Sequence, residues 1–333
     1  MSSELVRYTK KGFYCEQADI YIDANGVVGK TIITHAHSDH ARIGANLYLA
    51  HKYTIPILKY RLGSQINTSA LEYGEKFEIN GVKFSLHPAG HIIGSSQVRI
   101  EYKGEVWVIS GDYKLENDLI SGQFEPVKCN VFITESTFAL PIYHWKAQVE
   151  IFKDINEWWA KNKAAQKTSV IIGYSLGKAQ RIIANVDSSI GKIYAHGAIY
   201  NTTEIVRKME IVNMPPIQKL NLGGITMKEL QESLVVAPPS VMGSTWLNKL
   251  EPYSLAYASG WMSIKGIRRR ELIEEGFSLS DHADWPGLNS AIKATGAQRI
   301  LITHGYTAQL AKWLRESNLD ASEIITPYTE TKE

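Results

Sequence analysis

The sequence contains little cysteine. Only Cys15 and Cys129 occur among its 333 residues, which is too few for a disulfide framework and typical of free thiols in a reducing compartment. It also has no run of about 18 apolar residues that would indicate a membrane-spanning helix, and its first residues, MSSELVRYTKKGFYCEQ, do not resemble a signal peptide. These absences predict a cytoplasmic protein that does not insert into a membrane.

Neither sign of charge is in excess. The 36 basic and 34 acidic residues give a formal net charge of +2, so the protein as a whole creates no strong field. A nucleic-acid partner would therefore have to bind a local basic patch. With 333 residues and 44% hydrophobic side chains, the chain has the length for one large domain or two moderate ones, with a substantial core.

Short runs of β-branched and aromatic residues recur, and several of them end at a polar residue. The runs and the residues that follow them are KTIIT and His35, VKFSLHPAG and His91, EVWVISG and Asp112, NVFIT and Glu135, GFSLSD and His282, and RILIT and His304. Such runs are typical of buried strands. Because loops at strand ends present reactive groups on a rigid scaffold, we expect a pair of sheets whose strand ends converge on one edge.

The middle of the chain has a different pattern. Residues 143–165 carry apolar side chains at helical spacing, which predicts an amphipathic helix with its tryptophans in the core. The apolar stripe comprises Val149, Phe152, Ile155, Trp158 and Trp159. Alternating strand and helix patterns follow, so residues 141–276 are predicted to form an α/β insert between two segments of one domain, 1–140 and 277–333.

The stretch HAHSDH contributes His35, His37, Asp39 and His40 to a single strand-to-helix turn. Imidazole suits zinc and other borderline divalent ions, and carboxylates complete or bridge such sites. One turn cannot enclose two ions by itself. Further ligands must come from distant strands, and His91, Asp112 and His304 are the candidates.

HAHSDH, followed by AGH and then SGD, resembles the motifs of the metallo-β-lactamase superfamily. This resemblance implies an αββα sandwich with a binuclear metal site on its edge. Asp23, at the end of DIYID, matches an early aspartate of the superfamily that supports the metal-ligand loop.

Three later stretches, ITESTF, LSDHADW and ITHGY, together with the α/β insert, resemble the β-CASP nucleases, so the insert is expected to be a β-CASP-like cap domain. The longer blocks ITESTFALPIYHW, SGWMSIKGIRRR and GFSLSDHADWPGL are similar to the bacterial ligase-associated DNA exonucleases. The resemblance covers the chain from Tyr8 to about Leu314. It implies a DNA exonuclease acting in repair on single-stranded or end-bearing DNA, with an ATP-dependent DNA ligase and a helicase as partners.

The resemblance also implies a role for each site residue. One metal ion would take His35, His37 and His91, the other would take Asp39, His40 and His304, and Asp112 would bridge them. Zinc is the expected metal and manganese the alternative. His282 would protonate the leaving oxygen and Glu135 would fix its tautomer, while Asp39 counts among the catalytic groups as well as the ligands.

The densest basic run, IKGIRRR, is the first candidate for binding nucleic acid. Arginine suits phosphate and an exposed tryptophan can stack on a base, so the expected contacts here are Lys265, Arg268, Arg269, Arg270 and Trp261. Ser175 and Lys178 of YSLGKAQ begin a predicted helix after a strand, and the N-terminus of a helix is a suitable binding position for a phosphate. His51 matches no ligand position and is expected on the surface.

His304 leaves the choice between DNA and RNA open. In the DNA cross-link repair nucleases the matching position is commonly not a ligand, whereas the ribonucleolytic relatives keep a histidine there. A ribonuclease of the 3′-end-processing or ribonuclease J kind is therefore the alternative to a DNA exonuclease. A non-catalytic scaffold is a third possibility, but the filled ligand positions argue against it. A small-molecule hydrolase ranks fourth, and an iron-type oxidoreductase ranks lower still, because Asp39 stands where that pattern usually has glutamate.

Overall fold

The computed structural model describes residues 4–264 and 273–324. The chain divides into two compact units. The first consists of Met1–Asn117, Ser121–His144 and His282–Glu333, and the second of Asp118–Ile120 and Trp145–Asp281. The described residues form a mixed α/β structure with three sheets, as the strand and helix patterns predicted. None of the helices in these residues has both the length and the apolar character needed to cross a membrane.

The first sheet of the first unit has six strands in chain order. They are β1 (Arg7–Thr9), β2 (Gly12–Cys15), β3 (Ile20–Ile22), β4 (Val28–Ile32), β5 (Ala45–His51) and β6 (Thr68–Leu71). The first three pair antiparallel, and β3 to β6 pair parallel. The parallel arrangement brings the ends of β3 and β4 side by side, and the aspartate and the histidine turn of the candidate site follow these two ends.

The second sheet has seven strands in the order β19-β18-β11-β10-β9-β8-β7. They are β7 (Lys76–Ile79), β8 (Val82–Pro88), β9 (Ser96–Tyr102), β10 (Glu105–Ile109), β11 (Val131–Ser136), β18 (Arg299–Gly305) and β19 (Asp320–Glu323). β7 to β10 form an antiparallel meander, and β10, β11, β18 and β19 run parallel. The last two strands therefore return from far along the chain to pair beside β11.

Strands β10 and β11 are buried on both faces, which explains their continuous apolar runs. Ile109 and Ile133 belong to a cluster that includes residues of both sheets, whereas Val108 and Phe132 pack with α7 (Trp285–Thr295) and α8 (Thr307–Glu316). The other described helix of the first unit, α1 (Thr54–Leu62), lies against β5 and β6. Each fully buried side chain of this kind contributes about 1.5–3 kcal/mol to stability.

The second unit contains an all-parallel sheet in the order β14-β13-β15-β12-β16-β17. Its strands are β12 (Thr168–Ile172), β13 (Ile193–Ala195), β14 (Ile217–Lys219), β15 (Leu234–Ala237), β16 (Tyr253–Ala258) and β17 (Glu275–Phe277). Its described helices are α2 (Gln148–Ala164), α3 (Lys178–Asn185), α4 (Gly197–Arg207), α5 (Met227–Gln231) and α6 (Thr245–Asn248), with short 3-10 turns at Leu222–Gly224, Pro239–Val241 and Gly260–Ser263. Apolar clusters form on both sides of this sheet.

Helix α2 confirms the predicted amphipathic helix and corrects one of its residues. Trp158 and Trp159 are buried in the core of the second unit, as expected. Val149, however, is 75% exposed, because it lies in the first turn of α2 on the side away from that core. The expectation for His51 was also wrong: its ring is buried and stacks on Tyr73 at 3.7 Å, and burial lowers its pKa to about 4.

The pairing of β11 with β18 contains a register shift beside the candidate site residues Glu135 and His304. Thr134 pairs with Ile302 and Ser136 with Gly305, so β18 has one more residue than β11 across this interval. This is the geometry of a β-bulge, which bends a strand and re-aims a side chain. His304 lies in the bulge with φ of +25°, an uncommon backbone conformation for a residue other than glycine.

Gly305 is required by this bulge, and its replacement is a test of the fold. Its φ is +87°, and a Cβ added there would lie 2.4 Å from the carbonyl carbon of Ser136. Gly104 has a similar φ of +85° but no atom within 4 Å of an added Cβ. We expect Gly104→Ala to cost about 1–2 kcal/mol of unfolding free energy and Gly305→Ala about 1–3 kcal/mol more, measured by urea denaturation. Equal losses in the two variants would contradict the close contact.

Candidate metal centre

Asp23 ties the beginning of the histidine turn to its end. It follows β3 with φ of +51°, and its two carboxylate oxygens accept hydrogen bonds from the amide and the hydroxyl of Thr34, at 2.7 and 2.6 Å. The same carboxylate lies 2.7 Å from Nδ1 of His40. The turn itself is closed by the amide of Ala41, which donates to the carbonyl of His37 at 2.9 Å. Asp23 thus orients the imidazole of His40 with Nε2 facing the other site residues.

Two arginines complete the support of this turn. Arg61, in the last turn of α1, donates to the carbonyl of Ala36, and Arg42 donates to the carbonyl of Ser38 at 3.3 Å. No motif in the sequence indicated either arginine or Thr34. Only the position of Thr34 directly before His35 could have indicated its role.

The first group of candidate ligands is His35, His37, His91 and Asp112, whose donor atoms all lie within 4.8 Å of one another. Nε2 of His91 is 3.0 Å from Nδ1 of His37, and Nε2 of His35 is 3.4 Å from Oδ2 of Asp112. Tetrahedral zinc, with Zn–N bonds of about 2.0–2.1 Å, needs ligand atoms about 3.3 Å apart. Nε2 of His35 is buried, and no described residue forms a hydrogen bond with it. The donor spacing and this nitrogen therefore fit a cation.

The second group is centred on His40, which is grouped with Asp112 and His304 and also with Asp39 and His35. Nε2 of His304 is 3.1 Å from Oδ1 of Asp112, and Nε2 of His40 is 3.6 Å from its Oδ2. Asp112 therefore belongs to both groups of ligands. Asp39 is half exposed, lies 3.7 Å from Nε2 of His40, and is not grouped with His304.

The electrostatics of the site favour a bound positive charge. Burial lowers the pKa of His35 well below its usual value, so its imidazole is neutral, the form that binds a cation. Burial opposes ionisation of Asp112, but His40 and the hydrogen bond from His304 outweigh it and hold the pKa of Asp112 well below normal. Burial likewise lowers the pKa of His40, but Asp112 and Asp23 raise it to about 10. Protons and a cation would therefore compete for the same imidazoles.

His282 and Glu135 form a buried pair beside this cluster. Nδ1 of His282 lies 2.9 and 3.1 Å from the two oxygens of Glu135, and its ring centroid lies 4.6 Å from that of His91. The carboxylate of Glu135 also accepts the amide of Tyr113 at 2.7 Å and the hydroxyl of Thr137 at 2.5 Å. These donors occupy the carboxylate, which suits it to holding the imidazole with Nδ1 protonated.

The predicted nucleic-acid contacts have different surroundings. Lys178 is buried, with Nζ 3.5 Å from Oδ2 of Asp281 and 5.0 Å from the ring centroid of Tyr174. Its ammonium is therefore part of an ion pair inside the second unit, and its contact with a phosphate stays a prediction. Ser175 and Trp261 are half-buried. Ser175 lies between β12 and α3, and Trp261 lies in the 3-10 turn Gly260–Ser263 that follows β16. Lys265, Arg268, Arg269 and Arg270 lie outside the described residues.

No model of a known protein family matches the chain. The chain is 28% identical over 316 residues to a probable DNA ligase of Opitutus terrae, an alignment that covers 94% of this chain and 30% of the ligase. It is 20% identical over 302 residues to the endoribonuclease YSH1 of Candida albicans, covering 73% of this chain and 34% of that protein. The chain therefore spans about a third of the length of these curated relatives.

The fold has a counterpart among solved structures. A crystal structure of a protein of unknown function from Enterococcus faecalis V583 matches with a TM-score of 0.59 at 12% identity, covering 90% of this chain and 80% of that one. This likeness concerns the fold alone. The sequence relatives confirm the resemblance predicted from the motifs: the chain resembles the β-CASP nucleases of the metallo-β-lactamase fold, near a ligase-associated group.

Proposed function

We propose that the protein is a metal-dependent DNA exonuclease that hydrolyses phosphodiester bonds at strand ends. The observation that supports this most strongly is the cluster of imidazoles around Asp112 beside the buried pair of His282 and Glu135. In a metal-dependent hydrolysis of a phosphodiester, the first element can bind cations and the second can move a proton. The proposed architecture is an αββα sandwich formed by the first unit, with the second unit as a β-CASP cap.

The residues fit two divalent cations, with zinc as the first proposal and manganese as the second. His35, His37 and His91 would hold one ion, and His40, His304 and Asp39 the other, with Asp112 shared. When bound, two such ions polarise the phosphodiester and stabilise its attacking and leaving oxygens. Asp23 and Thr34 keep the imidazole of His40 in its orientation.

The proton on the leaving oxygen would come from His282. Because Nδ1 donates to Glu135, Nε2 is the nitrogen that gives up a proton to the substrate. Glu135 stabilises the positive charge of the protonated imidazole and keeps one tautomer. The donors Tyr113 and Thr137 hold the carboxylate of Glu135 in place for this role.

The alignment of nearly the whole chain with a probable DNA ligase supports DNA as the substrate. An ATP-dependent DNA ligase and a helicase are the proposed partners, because ends trimmed by an exonuclease are joined by a ligase. A ribonuclease is the alternative, and two observations favour it: His304 lies 3.1 Å from Asp112, and another relative is an endoribonuclease.

Cleavage of matched substrates tests this proposal. We expect the purified protein, supplied separately with zinc and with manganese, to shorten end-labelled single-stranded DNA from one end. RNA of the same sequence should be degraded more slowly. Degradation of RNA alone would favour the ribonuclease, and internal cuts in DNA would contradict exonuclease action.

Asp112→Asn tests the proposed metal centre. Replacing a residue that only supports a metal ligand typically lowers metal affinity by about 10–100-fold. Because Asp112 is shared by both ligand groups, Asp112→Asn should lower it by more than this. Bound zinc would be measured by mass spectrometry after equilibrium dialysis. Asp187→Asn, at an exposed carboxylate of the second unit, is the control and should retain metal. Full retention of zinc by Asp112→Asn would contradict the shared ligand.

His282→Gln separates proton transfer from metal binding. Loss of the general acid should lower kcat by about 10²–10⁴-fold while bound zinc is unchanged. The control is His87→Gln, since His87 lies on β8 with Nε2 3.0 Å from the hydroxyl of Ser85. If zinc is lost together with activity, His282 is a ligand and not the acid.

A further inference from the structure

Four charged side chains are buried together in the second unit. Lys178 and Arg181 come from α3, and Asp281 and Asp118 come from segments far away in sequence. The exposed fractions of the four side chains are 5% for Lys178 and Asp281, 2% for Arg181 and 1% for Asp118.

A contribution to folding stability does not by itself explain why these four charges are buried. Removing an ion from water costs several kcal/mol even in a real protein, and replacing a buried ionic group by packed apolar residues is often neutral or stabilising. Buried charges are therefore better explained by what they hold in place. In this unit, the apolar clusters on both sides of the sheet already supply a core.

The cluster holds the segment at Ser280 and Asp281. Arg181 donates through Nη1 to the carbonyl of Ser280, and the same nitrogen lies 3.5 Å from Oδ1 of Asp281. Nζ of Lys178 lies 3.5 Å from the other oxygen, Oδ2. Each oxygen of Asp281 therefore faces a cation, and the preceding carbonyl is bound as well.

Arg181 and the beginning of α3 are themselves held by further contacts. Nε of Arg181 donates to Oε1 of Gln148 at 2.6 Å and lies 3.9 Å from Asp118. The beginning of α3 is braced by Gln180, which accepts from the amide of Gly177 at 2.8 Å and donates to the hydroxyl of Thr203 at 3.0 Å. The contact between Arg181 and Ser280 is therefore made from a rigid element.

We propose that Arg181 and Lys178 are positioning residues for His282, acting through Asp281. His282 follows Asp281 directly in the chain, so anchoring the carbonyl of Ser280 and the side chain of Asp281 restricts the backbone from which the imidazole extends. The restriction limits the orientations open to this imidazole, whose Nδ1 lies 2.9 Å from Oε2 of Glu135. The consequence for catalysis depends on the proposed function, whereas the orientation of the ring does not.

The test is Asp281→Asn, which keeps the shape of the side chain and removes its charge. In the zinc-supplied full-length protein, we expect the NMR signal of the His282 Nδ1 proton, assigned by its absence in His282→Gln, to shift or broaden. On the nucleic-acid substrate, kcat should fall by about 10–100-fold with KM changed less than about twofold, because a misplaced acid impairs the reaction more than binding.

Asn162→Ala is the matched control for general destabilisation. Asn162 is also buried in the second unit, but it donates to the hydroxyl of Ser169 and not to the segment at Ser280. We expect this variant to melt at a lower temperature with the His282 signal and kcat unchanged. If Asp281→Asn does not fold, Arg181→Lys is measured in the same way. This variant keeps the positive charge but loses the planar guanidinium group with its several N–H donors.

The outcomes separate this proposal from the proposed function. A wild-type His282 signal and wild-type kcat in a folded Asp281→Asn or Arg181→Lys would overturn the positioning role, and so would an equal effect of Asn162→Ala. If the wild-type protein cleaves neither DNA nor RNA but the His282 signal responds to Asp281→Asn, the positioning role stands and the nuclease function fails.

Discussion

The buried carboxylate of Asp112 is the constraint on which the candidate site depends. An ionised carboxylate removed from water is costly unless positive charge lies close to it. Imidazoles from the histidine turn, from His91 and from His304 all approach Asp112 within 3.7 Å. The hydrogen bonds of Asp23 orient the ring of His40, and the bulge in β18 orients the ring of His304, so that both face Asp112.

Asp112 and Glu135 show how similar groups acquire different roles. The oxygens of Asp112 face imidazole nitrogens, which neither neutralise nor fully satisfy a carboxylate without a cation or protons. The oxygens of Glu135 accept an amide, a hydroxyl and one imidazole, so that this carboxylate is complete without any ion. This difference in hydrogen-bond donors is the physical basis for proposing Asp112 as a metal ligand and Glu135 as the group that orients His282.

Local patterns predicted the types of elements and the residues at the site, because strand runs and metal-ligand chemistry are both visible over a few residues. The distances among the ligands were less accessible, because they depend on the packing of distant strands: Asp39 is grouped with His40 and His35, and His304 with His40 and Asp112. Burial could not be predicted for the same reason. The place of Lys178 at the start of a helix suggests a phosphate contact, but its neighbour Asp281 lies more than a hundred residues later in the sequence.

The position of β18 between β11 and β19 has a consequence for synthesis on the ribosome. All of the residues from Trp145 to Asp281 are made before β18 exists, so one edge of β11 has no partner during that time. An unpaired strand edge can recruit another chain, which makes this interval the one most exposed to aggregation. The same order means that a chain synthesised only as far as Asp281 has the histidine turn without His282 or His304, so the proposed site is complete only after β18 has been made.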